Sequence, residues 1–168
     1  PYKWLEKYSL SRYKFTRLNL NNDLIKICKL IDENEITHII NFAAQGMVAE
    51  SWKNPLSWYK TNLISQIALH DELRKRTFIK KYVHFTTPEV YGDTKENPIS
   101  ESFLINPKNP YGNTKATVEN ILESIFKSSN QTWRIINLRY FNPIGAHESG
   151  KIGENPLNKP NNLSLIHI

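Results

Sequence analysis

The sequence predicts an α/β fold built on an open, doubly wound parallel sheet with helices on both faces, and three observations predict it. Helical and strand-like stretches alternate along the chain, which favours βαβ units with right-handed crossovers. The clearest strand-like run, ITHIINF at 36–42, is β-branched and mostly apolar, the pattern of a strand covered on both faces. Small or polar residues follow the runs, at Ala43-Ala44-Gln45-Gly46, Thr86-Thr87-Pro88-Glu89 and Asn142-Pro143, where an open parallel sheet gathers its ligand-binding loops.

Each element has its own signal. Residues 13–20 mix Tyr, Phe and Leu with polar neighbours and predict a short strand ending at Asn19. From Asn21, a capping residue type, Leu24, Ile27, Cys28 and Ile31 fall at i, i+3, i+4 and i+7 and make one helix face. After the strand at 36–42, Pro55 opens a second helical stretch that continues through Asn62 to Arg76, where Arg74, Lys75 and Arg76 suit a C-terminus. Residues 79–85 return to strand character. The segment from Thr86 to Pro110 carries Gly92, Pro98, Pro107 and Pro110 and predicts a long loop, a kind of segment that is often functional. Val118, Ile121, Leu122, Ile125 and Phe126 mark a third helix over 111–127, and 133–140 is a third strand. No internal repeat or low-complexity tract interrupts this order.

Composition narrows the function. With 168 residues, 39% hydrophobic and 23% charged, the chain has room for one domain with a sizeable core. Its apolar runs are strand-sized, far from the run of about 20 residues that a membrane-spanning helix needs, so no membrane partner is expected. A single cysteine, Cys28, makes no internal disulfide and points to a reducing, cytoplasmic setting. The net charge of +6 is scattered among acidic residues, which argues against nucleic acid as a partner. His38, His70, His84, His147 and His167 have no metal-ligand spacing, so no metal site is expected, and Trp52 and Trp58 are expected to be packing residues.

The chemistry-bearing pattern is Tyr111 and Lys115, four apart at the start of the third helix and therefore on one face. A nearby ammonium favours phenolate, which would make Tyr111 a proton acceptor, and Thr87 offers a hydroxyl to the same substrate oxygen. Removal of a hydroxyl proton coupled to hydride loss fits this set. Tyr91 and Lys95 share the spacing, but Gly92 and Asp93 between them argue against a helix there.

The combination of TTPEVYG (86–92), PYGNTK (110–115) and LRYFNPIGAH (138–147) resembles the extended short-chain dehydrogenase/reductases that act on nucleotide sugars, the epimerase/dehydratase family. From Asn109 to Leu163, including SGKIGENPLNKPNNL, the chain is most similar to the UDP-glucose 4-epimerases. NFAAQGMVAESW (41–52) and TTPEVYG look more like the nucleotide-sugar 4,6-dehydratases. The halves thus point to sister groups, which fits an intermediate member or two sequences joined between about Gly92 and Asn109.

The resemblance implies an NAD-dependent enzyme that inverts C4 of a UDP-hexose through a 4-keto intermediate, with UDP-glucose and UDP-galactose as substrates and a homodimer as the full-length form. It implies Tyr111, Lys115 and Thr87 as catalytic residues. It places Asn19, Leu20, Phe42, Ala43, Ala44, Gln45, Gly46, Asn62, Tyr111, Lys115 and Phe141 against NAD. Thr87, Glu89, Tyr111, Asn142, Asn161, Asn162 and Leu163 would face the substrate. The alternative is a 4,6-dehydratase, for which similar enzymes use an Asp-Glu pair after the Ser/Thr; here Glu89 is present but Pro88 stands at the Asp position. No GxxGxxG or GxGxxG occurs, so residues 1–141 read as an incomplete, Rossmann-like NAD-binding domain without its glycine-rich βα unit. Residues 142–168 read as the start of a substrate-binding region. The 168 residues resemble the middle of an enzyme of roughly twice this length, and by themselves are expected to be a non-catalytic fragment.

Overall fold

A computed structural model of the chain describes residues 13–128, 133–143, 145 and 147–149. Two units are present, one of Leu18–Tyr140 and one that joins Pro1–Arg17 with Phe141–Ile168. Every regular element among the described residues belongs to the first. Three parallel strands, β1 (His38–Asn41), β2 (Lys81–Thr86) and β3 (Arg134–Arg139), form one sheet in the order β1-β2-β3. α1 (Leu24–Glu33) precedes β1. The β1-to-β2 crossover holds α2 (Val48–Lys53), α3 (Pro55–Tyr59), a π-helical turn (Lys60–Ile64) and α4 (Ser65–Leu73). The β2-to-β3 crossover holds a 3-10 turn (Pro88–Val90) and α5 (Pro110–Ser128). The expected α/β architecture with an open parallel sheet is therefore present.

Local chemistry explains the boundaries. α3 starts on Pro55, with the Asn54 side chain accepting from Ser57 N. α5 likewise starts on Pro110, and the Asn109 side chain accepts from Gly112 N at 2.7 Å. α1 turns Cys28 and Ile31 inward, and its N-cap is Asp23, not the expected Asn21. Asn21 lies in the preceding turn, where its amide donates to Thr61 Oγ1 and accepts from Ser65 Oγ. The strand expected over 13–20 does not form, because no ladder partner lies beside it among the described residues and strand conformation needs one. The helix expected from Pro55 to Arg76 is interrupted by the π turn.

Side chains alternate across a strand, so the register sorts them into rows. Ile39, Tyr82 and Ile135 form one row, Asn41, His84 and Asn137 the next, and Thr86 with Arg139 a third. α1, α4 and α5 close over this face, where Ile31, Leu69, Leu73, Tyr82, Val118, Leu122 and Trp133 make the main core. A second cluster, Val90, Tyr91 and Ala116 with Ile99, Phe103 and Ile105, fastens the long loop to α5. On the opposite face Ile40 is 62% exposed, and Ile136 and Leu138 are exposed as well.

Candidate active site

The segment that leaves β1 is held by buried amides. Asn41 Oδ1 accepts from Ala43 N at 2.9 Å, and Gln66 Nε2 donates to Ala43 O at 2.6 Å. Asn62, 1% exposed in the π turn, accepts from Gln45 N at 2.7 Å and donates to Gln45 O at 2.8 Å. Trp58 Nε1 closes the turn on Gly46 O at 3.0 Å. Residues 43–46 are thereby fixed as a short shelf at the C-terminal end of β1, with Asn62 beneath it. Asn62 also donates to Thr114 Oγ1 at 3.4 Å, which couples the shelf to α5. Phe42 leaves the strand exposed, its ring tilted 32° against that of Phe85 with centroids 3.8 Å apart.

The second half of the site is the start of α5 against the end of β2. The Tyr111 phenol hydrogen-bonds the Thr87 side chain, and Tyr111 N donates to Ser51 Oγ of α2 at 3.3 Å. Lys115, 4% exposed, donates from Nζ to Phe85 O at 2.8 Å. Asn109 Nδ2 donates to Glu89 Oε2 at 2.7 Å while its Oδ1 caps α5, so one buried amide joins Glu89 to the helix that carries Tyr111. Gly112 is required here: a Cβ would stand 2.7 Å from Glu89 O. Farther along α5, Glu119 accepts from Thr86 Oγ1 and, through its other oxygen, from Arg139 Nε and Nη2.

Electrostatics correct one expectation. Tyr111 is not held below its ordinary value by Lys115. Burial raises the phenol, the hydrogen bond with Thr87 offsets part of that rise, and Tyr140 and Glu89 add to it. Burial also pushes the Lys115 ammonium down to about 8 against the pull of Glu119. Helical spacing does put both residues on one face, but the ammonium is spent on the Phe85 carbonyl. In this geometry the phenol is protonated at neutral pH.

Thr87, Glu89, Tyr111 and Lys115 come together around the start of α5, and Ala43, Gln45, Gly46 and Asn62 form the shelf. Asn19 lies elsewhere in use: its Oδ1 accepts from Asn21 N, and its own N–H donates to Asp23. Leu20 packs partly against the main core. Phe141 and Asn142 belong to the other unit and are exposed. Asn161, Asn162 and Leu163 lie outside the described residues. Trp52, expected to pack, is 62% exposed. Sequence reasoning missed the roles of Asn41, Gln66 and Asn109; the first two show locally only as polar residues within or beside an apolar run, and Asn109 only as one before a proline.

The sequence matches the family described as GDP-mannose 4,6 dehydratase over residues 3–161. The chain belongs to that family. The bifunctional protein gal10 of Schizosaccharomyces pombe is 44% identical to it over 154 residues, which is 89% of this chain and 21% of the relative. The UDP-glucose 4-epimerase of Bacillus subtilis is 44% identical over 131 residues, 78% of this chain and 38% of that protein. Solved structures agree. The UDP-glucose-4-epimerase of Stenotrophomonas maltophila with bound NAD and formylated UDP-arabinopyranose superposes with a TM-score of 0.80 at 34% identity, over 89% of this chain and 44% of its own. That of Bifidobacterium longum, in complex with NAD+ and UDP, gives 0.79 at 36% identity over 88% and 44%. The chain thus spans less than half the length of these relatives. The resemblance to the epimerase/dehydratase family holds, and single relatives match the chain on both sides of the segment from Gly92 to Asn109.

Proposed function

We propose that this chain is part of an NAD-dependent UDP-glucose 4-epimerase. One observation carries the reading: Tyr111, Thr87, Lys115 and the 43–46 shelf converge at the C-terminal ends of neighbouring parallel strands, where an open sheet presents its ligand site. The residues fit NAD. The shelf, with Asn62 beneath it, and the buried ammonium of Lys115 would hold it, while Asn19, Leu20 and Phe141 are further proposed contacts. NAD, when bound, would supply a hydride acceptor and donor for C4 of the sugar.

The chain's own residues handle the proton. Tyr111 Oη takes the proton from the sugar 4-hydroxyl as the 4-ketone forms, and gives it back when C4 is reduced. Thr87 orients that oxygen. Tyr111 must first lose its own proton, and a Lys115 that moves from Phe85 O toward the phenol would favour phenolate. In the full-length enzyme Tyr111→Phe is expected to lower turnover between UDP-glucose and UDP-galactose about 10²- to 10⁴-fold; unchanged turnover would remove the assignment.

A second reading, a nucleotide-sugar 4,6-dehydratase, draws on the proximity of Glu89 to Tyr111. Against it, Pro88 replaces the acid, and Asn109 ties Glu89 to the α5 cap. A 4-keto-6-deoxy product that disappears in Glu89→Gln would favour this reading over the epimerase. Asn142, Asn161, Asn162 and Leu163 are proposed substrate contacts within a region that starts at 142. A homodimer through α4 and α5 draws support from exposed Ile67 and Phe126. The 168 residues alone are proposed to be inactive.

A further inference from the structure

The covered face of the sheet is polar at a level where a core is ordinarily apolar. Asn41, His84 and Asn137 stand side by side across the three strands, one row beyond Ile39, Tyr82 and Ile135. His70 of α4 and His84 are 0% and 1% exposed, their rings edge-on with centroids 6.3 Å apart. Lys115 of α5 reaches the same face to meet Phe85 O. Part of the cluster is satisfied internally: Asn41 Nδ2 donates to Gln66 Oε1 and the Tyr82 hydroxyl, and that hydroxyl also meets His70 Nε2 at 2.8 Å. Among the described residues, four buried side-chain atoms have no hydrogen-bond partner, namely both ring nitrogens of His84, Nδ1 of His70 and Oδ1 of Asn137.

Buried polar atoms are nearly always hydrogen-bonded, and where the protein supplies no partner an ordered water does. The four atoms suit this. A neutral imidazole offers one donor and one acceptor on opposite sides of its ring, and an amide oxygen accepts, so waters that both donate and accept, one on each side of the His84 ring, can satisfy them. We propose that the row of Asn41, His84 and Asn137, roofed by His70 and Lys115, is a buried water site, and that His84 acts through its bound water as a positioning residue for Lys115. Its functional meaning rests on the role proposed above for Lys115.

The surrounding charges fit that arrangement. Burial, the Lys115 charge and His70 together hold the His84 imidazole down to about 3, so at neutral pH it is uncharged and keeps a lone pair. Burial likewise holds His70 at about 4. Glu119, one turn along α5, favours the Lys115 ammonium but is itself engaged by Thr86 and Arg139. Tyr82 stays a neutral phenol because burial raises it. The hydrated imidazole therefore gives the ammonium a second acceptor besides Phe85 O. Removing it leaves Lys115 easier to deprotonate.

Two measurements on the 168-residue chain test this without cofactor or turnover. In the unsubstituted protein, NMR transfer from water to the His84 ring and the Asn137 side-chain amide should reveal a long-lived contact. In His84→Leu, the Lys115 midpoint followed by its Nζ and Cε shifts should fall by about one pH unit, a tenfold change in acidity, and His84→Gln should restore most of it. Absence of water transfer to both residues overturns the site, even if the variants fail to fold. A Lys115 midpoint that is the same in the wild type, Leu and Gln proteins overturns the positioning role. Loss of the epimerase reading through an unaffected Tyr111→Phe is a separate result, since it leaves the water contact and the Lys115 titration unchanged.

Discussion

Tyr82 and Val83 are neighbours on β2, yet Tyr82 is fully buried against Trp133 and His70, while Val83 looks onto the face where Ile40 and Leu138 stay exposed. The covered face sets Asn41, His84, Thr86, Asn137 and Arg139 beside Ile39, Tyr82 and Ile135, and the open face sets Ile40, Val83, Phe85, Ile136 and Leu138 beside His38, Lys81 and Arg134. Each face mixes apolar and polar residues, so apolar composition does not mark which face is packed. Buried polar residues do, because each needs a partner that only a specific neighbour can offer, and here those neighbours are α4 and α5. The same helices set the start of the candidate site, so the polar face is also the one that backs onto the chemistry.

Substitutions matched across the faces sharpen this contrast. Breaking the pair of buried Glu119 and half-buried Arg139 should have the largest effect: Glu119→Leu leaves Arg139 with only the Tyr91 hydroxyl and the Glu101 carbonyl and strands the Thr86 hydroxyl, at a cost of about 3–5 kcal/mol in urea unfolding. A cost below about 1 kcal/mol would mean that the pair is solvated in solution. Next comes the apolar core. Leu122→Ala should cost about 2–5 kcal/mol, whereas Leu138→Ala on the open face should cost less than about 1 kcal/mol. Equal losses would show that both faces are packed in solution.

The smallest effect is a slope. His70 and His84 have folded values of about 4 and 3 against an ordinary 6.5, so below pH 6.5 the unfolded chain binds more protons than the folded one. Their contribution is complete above pH 6.5 and is lost as pH falls toward those folded values. Between pH 6 and 5, before most carboxylates titrate, stability should fall with a slope approaching about 1.4 kcal/mol per pH unit for each histidine. Replacing either histidine should remove its share. A flat profile would place both rings in contact with solvent.

Much of the fold was legible in local pattern. The i, i+3, i+4, i+7 stripe from Leu24 to Ile31, Pro55 and Pro110 at helix starts, and the β-branched run before Asn41 each act within a few residues and survive any tertiary arrangement. The candidate site was legible as Thr87, Tyr111 and Lys115 because TTPEVYG and PYGNTK are contiguous. Three features were not. The segment at 13–20 has strand-like composition but no neighbour to pair with. Asn21 has a capping side chain but is drawn to Thr61 and Ser65, far away in sequence. Asn109 bridges Glu89 and Gly112, and neither end of that bridge is visible from a single polar residue before a proline.

The sequence by itself determined the helix from Leu24, the helix from Pro110, the three strands that pair, their alternation with helices and the family signature around Tyr111, since periodicity, caps and turn residues act over short range. Tertiary structure decided which face of the sheet is covered, that Lys115 turns to the Phe85 carbonyl, and that burial raises Tyr111 instead of the ammonium lowering it. Burial and hydrogen-bond choice depend on what neighbouring elements bring within about 3 Å, and no local pattern carries that information.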